Sequence, residues 1–454
     1  MHHRTHVTNF DCSSDGRWLA TASFDRTARV WDAATGQPVS PMLHHPHFVP
    51  ETRFSRDARH LLTACSDGST RLWELPPPSP SRLTLRHSGG IECARFSADG
   101  KRIFTAASDR LANFWDVKSG QLLVSLRHAS PLTFGALSRD GSRFIASCAD
   151  GTAHLWDVAR GEEIAPPARH ATRINRVEFS PDERRFSTAS DDNTARVWDA
   201  QTGGPITPPL EHRDHVHVAA FSPDGRRIVT ASADGTAQIW NAENGARTGP
   251  ALQHTARVEF AAFSPDGSRV VTAGRMSNIV GAEVQIWDAA SGTPAGPPIL
   301  HGDRVGRARF SADGRLVLTA CFDGSANIWN AATGERVIPP LKYETGVADA
   351  IFSPDGRLVL AWSFGGVARV WDAATGEPVT PPLQHKAGSL SGAWSPDGRE
   401  VIIADDDGAA RVWDVSPTAA PLAELRRQAE LLSAQRYDAK SGPVPSSSAE
   451  ASER

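Results

Sequence analysis

Tyrosine and methionine are almost missing from these 454 residues, at two and three copies, and no hydrophobic run stands out. No stretch approaches the ~18 apolar residues that a membrane helix needs. The opening MHHRTHVTNF has no apolar segment, so no secretory signal is expected. Charge of one sign is lacking too: 48 Lys and Arg face 52 Asp and Glu, a net −4. Bulk charge therefore directs the chain to neither nucleic acid nor an anionic membrane. The five cysteines (Cys12, Cys65, Cys93, Cys148, Cys321) are scattered and odd in number, and they form no CxxC pair. That excludes a disulfide framework and a cysteine zinc motif, and reads as reduced thiols in a cytoplasmic protein.

Motifs of chemistry are lacking as well. There is no GxxxxGK[ST], no GxSxG, no DFG and no glycine-rich phosphate loop. His212-Arg213-Asp214 copies three letters of a kinase catalytic loop, but His215-Val216-His217-Val218 does not continue it. The histidine-dense stretches, His44-His45-Pro46-His47 and His212/His215/His217, have no carboxylates at ligand spacing. The expectation is no catalysis, no metal and no cofactor.

What the chain does have is tryptophan, 13 copies. Ten fall in one register: Trp31, Trp73, Trp115, Trp156, Trp198, Trp240, Trp287, Trp329, Trp371 and Trp413, at steps of 41 or 42 residues and one of 47. A fixed period in the low forties marks a propeller with four strands per blade. Before each Trp stands a large apolar residue, from Val30 to Val412, and two before it a polar one, from Arg29 to Arg411. That alternation is a strand with one buried face. Turns such as Ser222-Pro223-Asp224-Gly225 supply hairpin chemistry. The expected fold is all-β: a propeller of four-stranded antiparallel blades, ten units, with one short C-terminal helix.

With Asp, Asn or Glu after each Trp, these units resemble the WD-repeat family over roughly residues 3 to 414. A histidine stands 28 residues before most of the Trp, as at His170 and His212, with Tyr343 in that place before Trp371. Six before the Trp stands an Asp, as at Asp192 and Asp234. The units of Trp287 and Trp371 lack that Asp. The resemblance implies a buried tetrad in which the His bridges the turn Asp and a hydroxyl residue that reaches the Trp indole. Its members would be His170, Ser190, Asp192 and Trp198 in one unit, and His212, Ser232, Asp234 and Trp240 in the next. The hydroxyl is placed two before the Asp, a slot held by cysteine at Cys65, Cys148 and Cys321.

Ten units do not divide into sevens, the family's usual ring. The partition expected is 1–117 as three blades of an incomplete propeller, and 118–415 as a seven-bladed ring closed by the segment after Trp115. A single ten-bladed ring is the alternative. The three-unit remainder suggests the C-terminal part of something longer. Residues 416–454 are expected to form an amphipathic helix, Leu422–Arg436, and a disordered tail. Proline pairs such as Pro208-Pro209 follow the Trp motifs and should border the outer strands.

The resemblance implies a non-catalytic scaffold for protein–protein interaction, monomeric, with no nucleic-acid or membrane partner. It looks like bacterial arrays often attached to serine/threonine kinases, so signalling or complex assembly is the expected setting. A regulatory fragment of such a kinase and a propeller enzyme acting at its channel are the rival readings. Three residues after the tetrad His, four consecutive units place Arg173, His215, Arg257 and Arg304. Phe24, Phe322 and Phe364 precede the turn Asp or its equivalent. Arg and aromatic side chains anchor interfaces, so these residues are the candidate binding face, for an acidic or phosphorylated peptide.

Overall fold

The computed structural model describes residues 7–13, 18–32, 40, 43–54, 60–74, 83–275, 281–380, 382–384, 388–416, 435–438 and 442–445. These form two compact units. The first includes Met1–Pro80 and the C-terminal segment; the second spans Ser81–Val379 and Leu383–Ser416.

The second unit is a closed ring of eight sheets. Its first strands are Ile91–Phe96, Leu132–Leu137, Ile174–Phe179, Val216–Phe221, Val258–Phe263, Val305–Phe310, Val347–Phe352 and Ser389–Trp394. Each touches the next, and Ser389–Trp394 touches Ile91–Phe96, so these strands line the centre. The Trp strand is third in every sheet. At its outer side the ladder is short and broken. In the Trp198 blade a bridge joins Trp198 to Pro205, and Leu210–Glu211 pairs with Thr194–Ala195. Pro208 and Pro209 lie between, where a residue without an N–H interrupts the ladder.

The closing strand differs from the expectation. Leu122–Arg127, after Trp115, completes its own blade. The outer position of the last blade is taken by Leu83–Arg86, paired with Ala409–Val412. The ring therefore begins at Leu83 and has eight blades, where seven from residue 118 were expected. The last blade is completed by a strand from the other end of the ring's own sequence, and 82 residues of the chain precede that donor. Among the described residues the Trp73 sheet has three strands, Glu51–Phe54, His60–Ala64 and Thr70–Glu74. The four-stranded Trp31 sheet belongs to the same first unit. Residues 422–434 of the expected helix lie outside the described residues. Gln435–Asp438 instead pairs as a strand with Gly442–Pro445, inside the tail expected to be disordered.

The tetrad is present with a different hydroxyl. His170 Nδ1 meets Asp192 Oδ2 at 2.8 Å, and its Nε2 meets Thr188 Oγ1 at 2.6 Å. The Trp198 indole N–H donates to that same Thr188 oxygen at 2.8 Å. The next blade repeats this with His212, Asp234, Thr230 and Trp240. Ser190 and Ser232 tie the turn instead: each accepts the N–H of its Asp and donates to a backbone carbonyl. Such bonds stabilise by roughly 0.5–1.5 kcal/mol each, and an orphaned buried group costs more.

The blades without the turn Asp are held differently. His254 still meets Thr272 Oγ1 at 2.6 Å. Tyr343 does the work of two residues: its hydroxyl donates to Ala361 O at 2.7 Å and accepts the Trp371 indole N–H at 2.9 Å. Arginines staple neighbouring blades. Arg185, Arg227 and Arg269 each donate to a turn-glycine carbonyl one blade on (Gly225, Gly267, Gly314). Each guanidinium also covers a phenylalanine there, Phe221, Phe263 or Phe310, at 5.1–5.8 Å.

Candidate functional site

The first strands carry a bulge just inside their start. In the Trp198 blade Ile174 pairs with Ser190 and Arg176 with Ala189, leaving Asn175 unmatched. His217 and Glu259 hold the same place in the next two blades. A bulge re-aims its side chain, often beside a site. Asn175 donates to Asp191 Oδ1 at 2.7 Å and to Val216 O at 3.0 Å, bridging two blades.

Around this mouth stand the three arginines and one histidine picked from the sequence, and the structure treats them unequally. Arg173 and Arg257 are exposed and make no side-chain hydrogen bond to another described residue. His215 is exposed, with Nδ1 2.7 Å from Asp191 O. Arg304 is committed: it donates to Glu259 Oε2 at 3.1 Å and lies 4.9 Å over the Phe322 ring. Phe322 in turn meets Phe364 edge-on, with centroids 4.9 Å apart. Phe364 remains 45% exposed, enough to touch a partner. Arg304, Phe322 and Phe364 thus form one contiguous patch. Phe24 belongs to the first unit, where it lies 5.0 Å from Phe48.

Deeper in the ring is a group the sequence reading missed. The third and fifth residues of the first strands include Arg95, Arg176, Arg307 and Arg309, with Glu178 and Asp349. Arg309 donates to Asp349 Oδ2 at 2.6 Å, and Arg307 Nε lies 3.9 Å from the same oxygen. Arg95 reaches across the ring closure to Ser391 Oγ at 2.6 Å. Arg176 lies 4.8 Å over Phe134. Burial, then repulsion from Arg307, holds the Arg176 guanidinium down to about 10, with Glu178 opposing. Burial pushes Glu178 up in the same way. Four guanidiniums against two carboxylates leave the lining cationic. The signal was an Arg one residue before Phe310 (Arg309) and another three before it (Arg307); small residues fill the first of these places in other units, as at Ala220 and Ala262.

Neither histidine-dense stretch gathers three ligand atoms among the described residues. His128, Cys148 and His154, in the Trp156 blade, do, within 4.8 Å of one another.

A propeller ring of tryptophan-marked blades defines the class. The model of the family "WD domain, G-beta repeat" matches residues 1–32, 36–74, 80–116, 120–157, 164–199, 206–241, 299–330 and 378–414, more than half of the chain. The chain belongs to the WD40 repeat family, whose repeats build protein-interaction scaffolds. The unmatched stretches include the blades of Trp287 and Trp371, which lack the turn Asp. A 34-residue stretch is 56% identical to the U3 small nucleolar RNA-associated protein 21 homolog of Schizosaccharomyces pombe (strain 972 / ATCC 24843). It covers 8% of this chain and 4% of that protein. The crystal structure of the computationally designed Ika8 protein superposes with a TM-score of 0.66 at 22% identity, over 74% of this chain and 99% of that one. That likeness shows the fold alone.

Proposed function

We propose that this chain is a non-catalytic scaffold whose ring captures an acidic or phosphorylated segment of a protein partner at the mouth of its inner strands. One observation carries the reading. The exposed, uncommitted guanidiniums of Arg173 and Arg257 stand at the mouth of a lining that already holds Arg95, Arg176, Arg307 and Arg309. Guanidinium groups recognise carboxylate and phosphate bidentately and cannot act as bases. Asp349 is engaged by two of them and Glu178 faces Arg176, so the lining suits binding better than proton transfer. The Arg304–Phe322–Phe364 patch offers an aromatic anchor beside the cations. The test uses an array of acidic and phosphorylated peptides. A peptide that binds should lose more than tenfold in affinity when Arg173, Arg257 and Arg304 become Ala together, with the largest loss at low salt. Unchanged affinity in the folded triple variant would place the binding surface elsewhere.

A further inference from the structure

The Trp156 blade departs from its neighbours at three positions that face one another. Where Thr188 and Thr230 stand in the next blades, this one has Ala146. The Trp156 indole N–H and His128 Nε2 are consequently buried with no hydrogen-bond partner. Two residues before the turn Asp stands Cys148, fully buried. Two before the Trp, where the following blades have Arg196 and Gln238, stands His154.

These changes converge. His128 is 5% exposed, and its Nδ1 lies 3.9 Å from Cys148 Sγ. The two imidazoles meet at right angles, with centroids 5.1 Å apart. His154 Nδ1 is 2.8 Å from Glu163 Oε1, and its Nε2 is 2.9 Å from Thr152 Oγ1. Thr152 has a single proton, and its 2.6 Å bond to Asp150 uses it. A neutral His154 that donates from Nδ1 to Glu163 therefore turns the Nε2 lone pair toward an oxygen that has no proton to give. We propose that His128, Cys148 and His154 bind a thiophilic transition-metal ion, Zn²⁺ or Cu⁺, as a structural site inside this blade.

One thiolate and two imidazoles are a ligand set for zinc or copper. Zinc would complete a tetrahedron with water, whereas Cu⁺ is content with three ligands. Glu163 supplies the carboxylate that orients a ligating histidine through its other nitrogen. Metal–sulfur and metal–nitrogen bonds of ~2.3 and ~2.0 Å need the trio to contract by about 1 Å. Ala146 carries no side chain beyond its β-carbon, where Thr188 and Thr230 stand in the next blades.

The molecule contains its own control. In the Trp329 blade, Cys321 and His301 hold the places of Cys148 and His128. But Thr319 is present there and accepts the Trp329 indole N–H, and Asn327 stands where His154 would be. The experiment strips the full chain with a chelator and titrates it with Zn²⁺, and anaerobically with Cu⁺, against a chromophoric competitor. Co²⁺ is added separately to look for thiolate-to-metal charge-transfer absorption. One equivalent of Zn²⁺ or Cu⁺ should bind, and whichever binds more tightly names the ion. Affinity should fall at least tenfold in His154→Gln and in Cys148→Ser, and stay unchanged in Cys321→Ser. His154→Gln installs the residue found at Gln238 in a folded blade, so it stays informative if Cys148→Ser does not fold. No stoichiometric binding, no thiolate band with Co²⁺, or equal loss in Cys321→Ser would overturn the site.

Discussion

At the scale of single residues, the tetrad turns on one oxygen. Thr188 Oγ1 meets both His170 Nε2 and the Trp198 indole N–H, so one side chain satisfies two buried groups. Thr188→Val keeps the shape and removes that oxygen. We expect it to cost about 2–6 kcal/mol, since each of the two orphaned groups costs about 1–3. Trp198→Ala should cost roughly 3–5 kcal/mol, through lost aromatic packing. Denaturant midpoints check both, and a Thr188→Val loss under ~0.5 kcal/mol would refute the assignment. The sequence showed the His, the Asp and the Trp of this network but misplaced its hydroxyl. Thr188 and Ser190 lie two apart in Arg185–Ser190, on one face of the strand. Both are fully buried, so no burial pattern separates them. Only the distance from the Trp indole does.

At the scale of elements, missing motif letters do not mean a missing strand or an unsatisfied core. The Trp371 blade has neither the turn Asp nor the His, yet its sheet is complete, from Val347–Phe352 to Leu383–Gln384. Tyr343 is the reason, because its longer side chain carries the hydroxyl to the indole itself. Tyr343→Phe should therefore destabilise by about 1–3 kcal/mol, leaving Trp371 N–H and Ala361 O without that partner. An unchanged melting temperature would count against this role. The closing strand is the second case. Leu83–Arg86 is four residues long, follows the proline-rich 75–82, and ends in the same Leu-x-His pattern as the other outer segments (Leu85-Arg86-His87 beside Leu210-Glu211-His212), so its own letters do not tell which blade it completes. Pairing with Ala409–Val412 is a contact between residues more than 300 apart in sequence, which local pattern cannot reveal. Leu85 is 1% exposed, so Leu85→Asp buries a charge in the closure. That variant should open the ring between its first and last blades. Hydrogen exchange should show lost protection in Glu400–Asp405 and Ala409–Asp414 first, with Val216–Asn241 affected last. Uniform protection would exclude Leu83–Arg86 as the clasp.

At the scale of the whole molecule, the repeat that made the blades legible also repeats one titratable group around the structure. Periodicity exposes what recurs, so the tetrad histidines stood out, whereas the lining arginines differ from blade to blade and did not. Burial holds the recurring histidines neutral: His254 and His301 are lowered to about 4, and His170 and His212 are lowered too, although their Asp partners oppose it. The sign follows from linkage. Above pH 6.5 these histidines are neutral whether the chain is folded or not, and they contribute no pH dependence. Below 6.5 the unfolded chain takes up protons that the folded chain refuses, so stability falls until the folded groups titrate near pH 4. At 1.36 kcal/mol per pKa unit, His254 and His301 each remove on the order of 3 kcal/mol across that window. The turn carboxylates act lower. Serine hydroxyls and backbone N–H groups hold Asp140 and Asp266 down to about 2, so their contribution is lost only as pH falls below the usual carboxylate range. Acid should therefore unfold the protein in two ranges, a histidine one from pH 6.5 to 4 and a carboxylate one beneath it. Urea midpoints measured at half-unit steps of pH would show it. His254→Gln should shrink the fall across the upper range by that one histidine's share and leave the lower range unchanged. Stability that stays level from pH 6.5 to 4.5 would mean that these histidines are not held neutral by the fold.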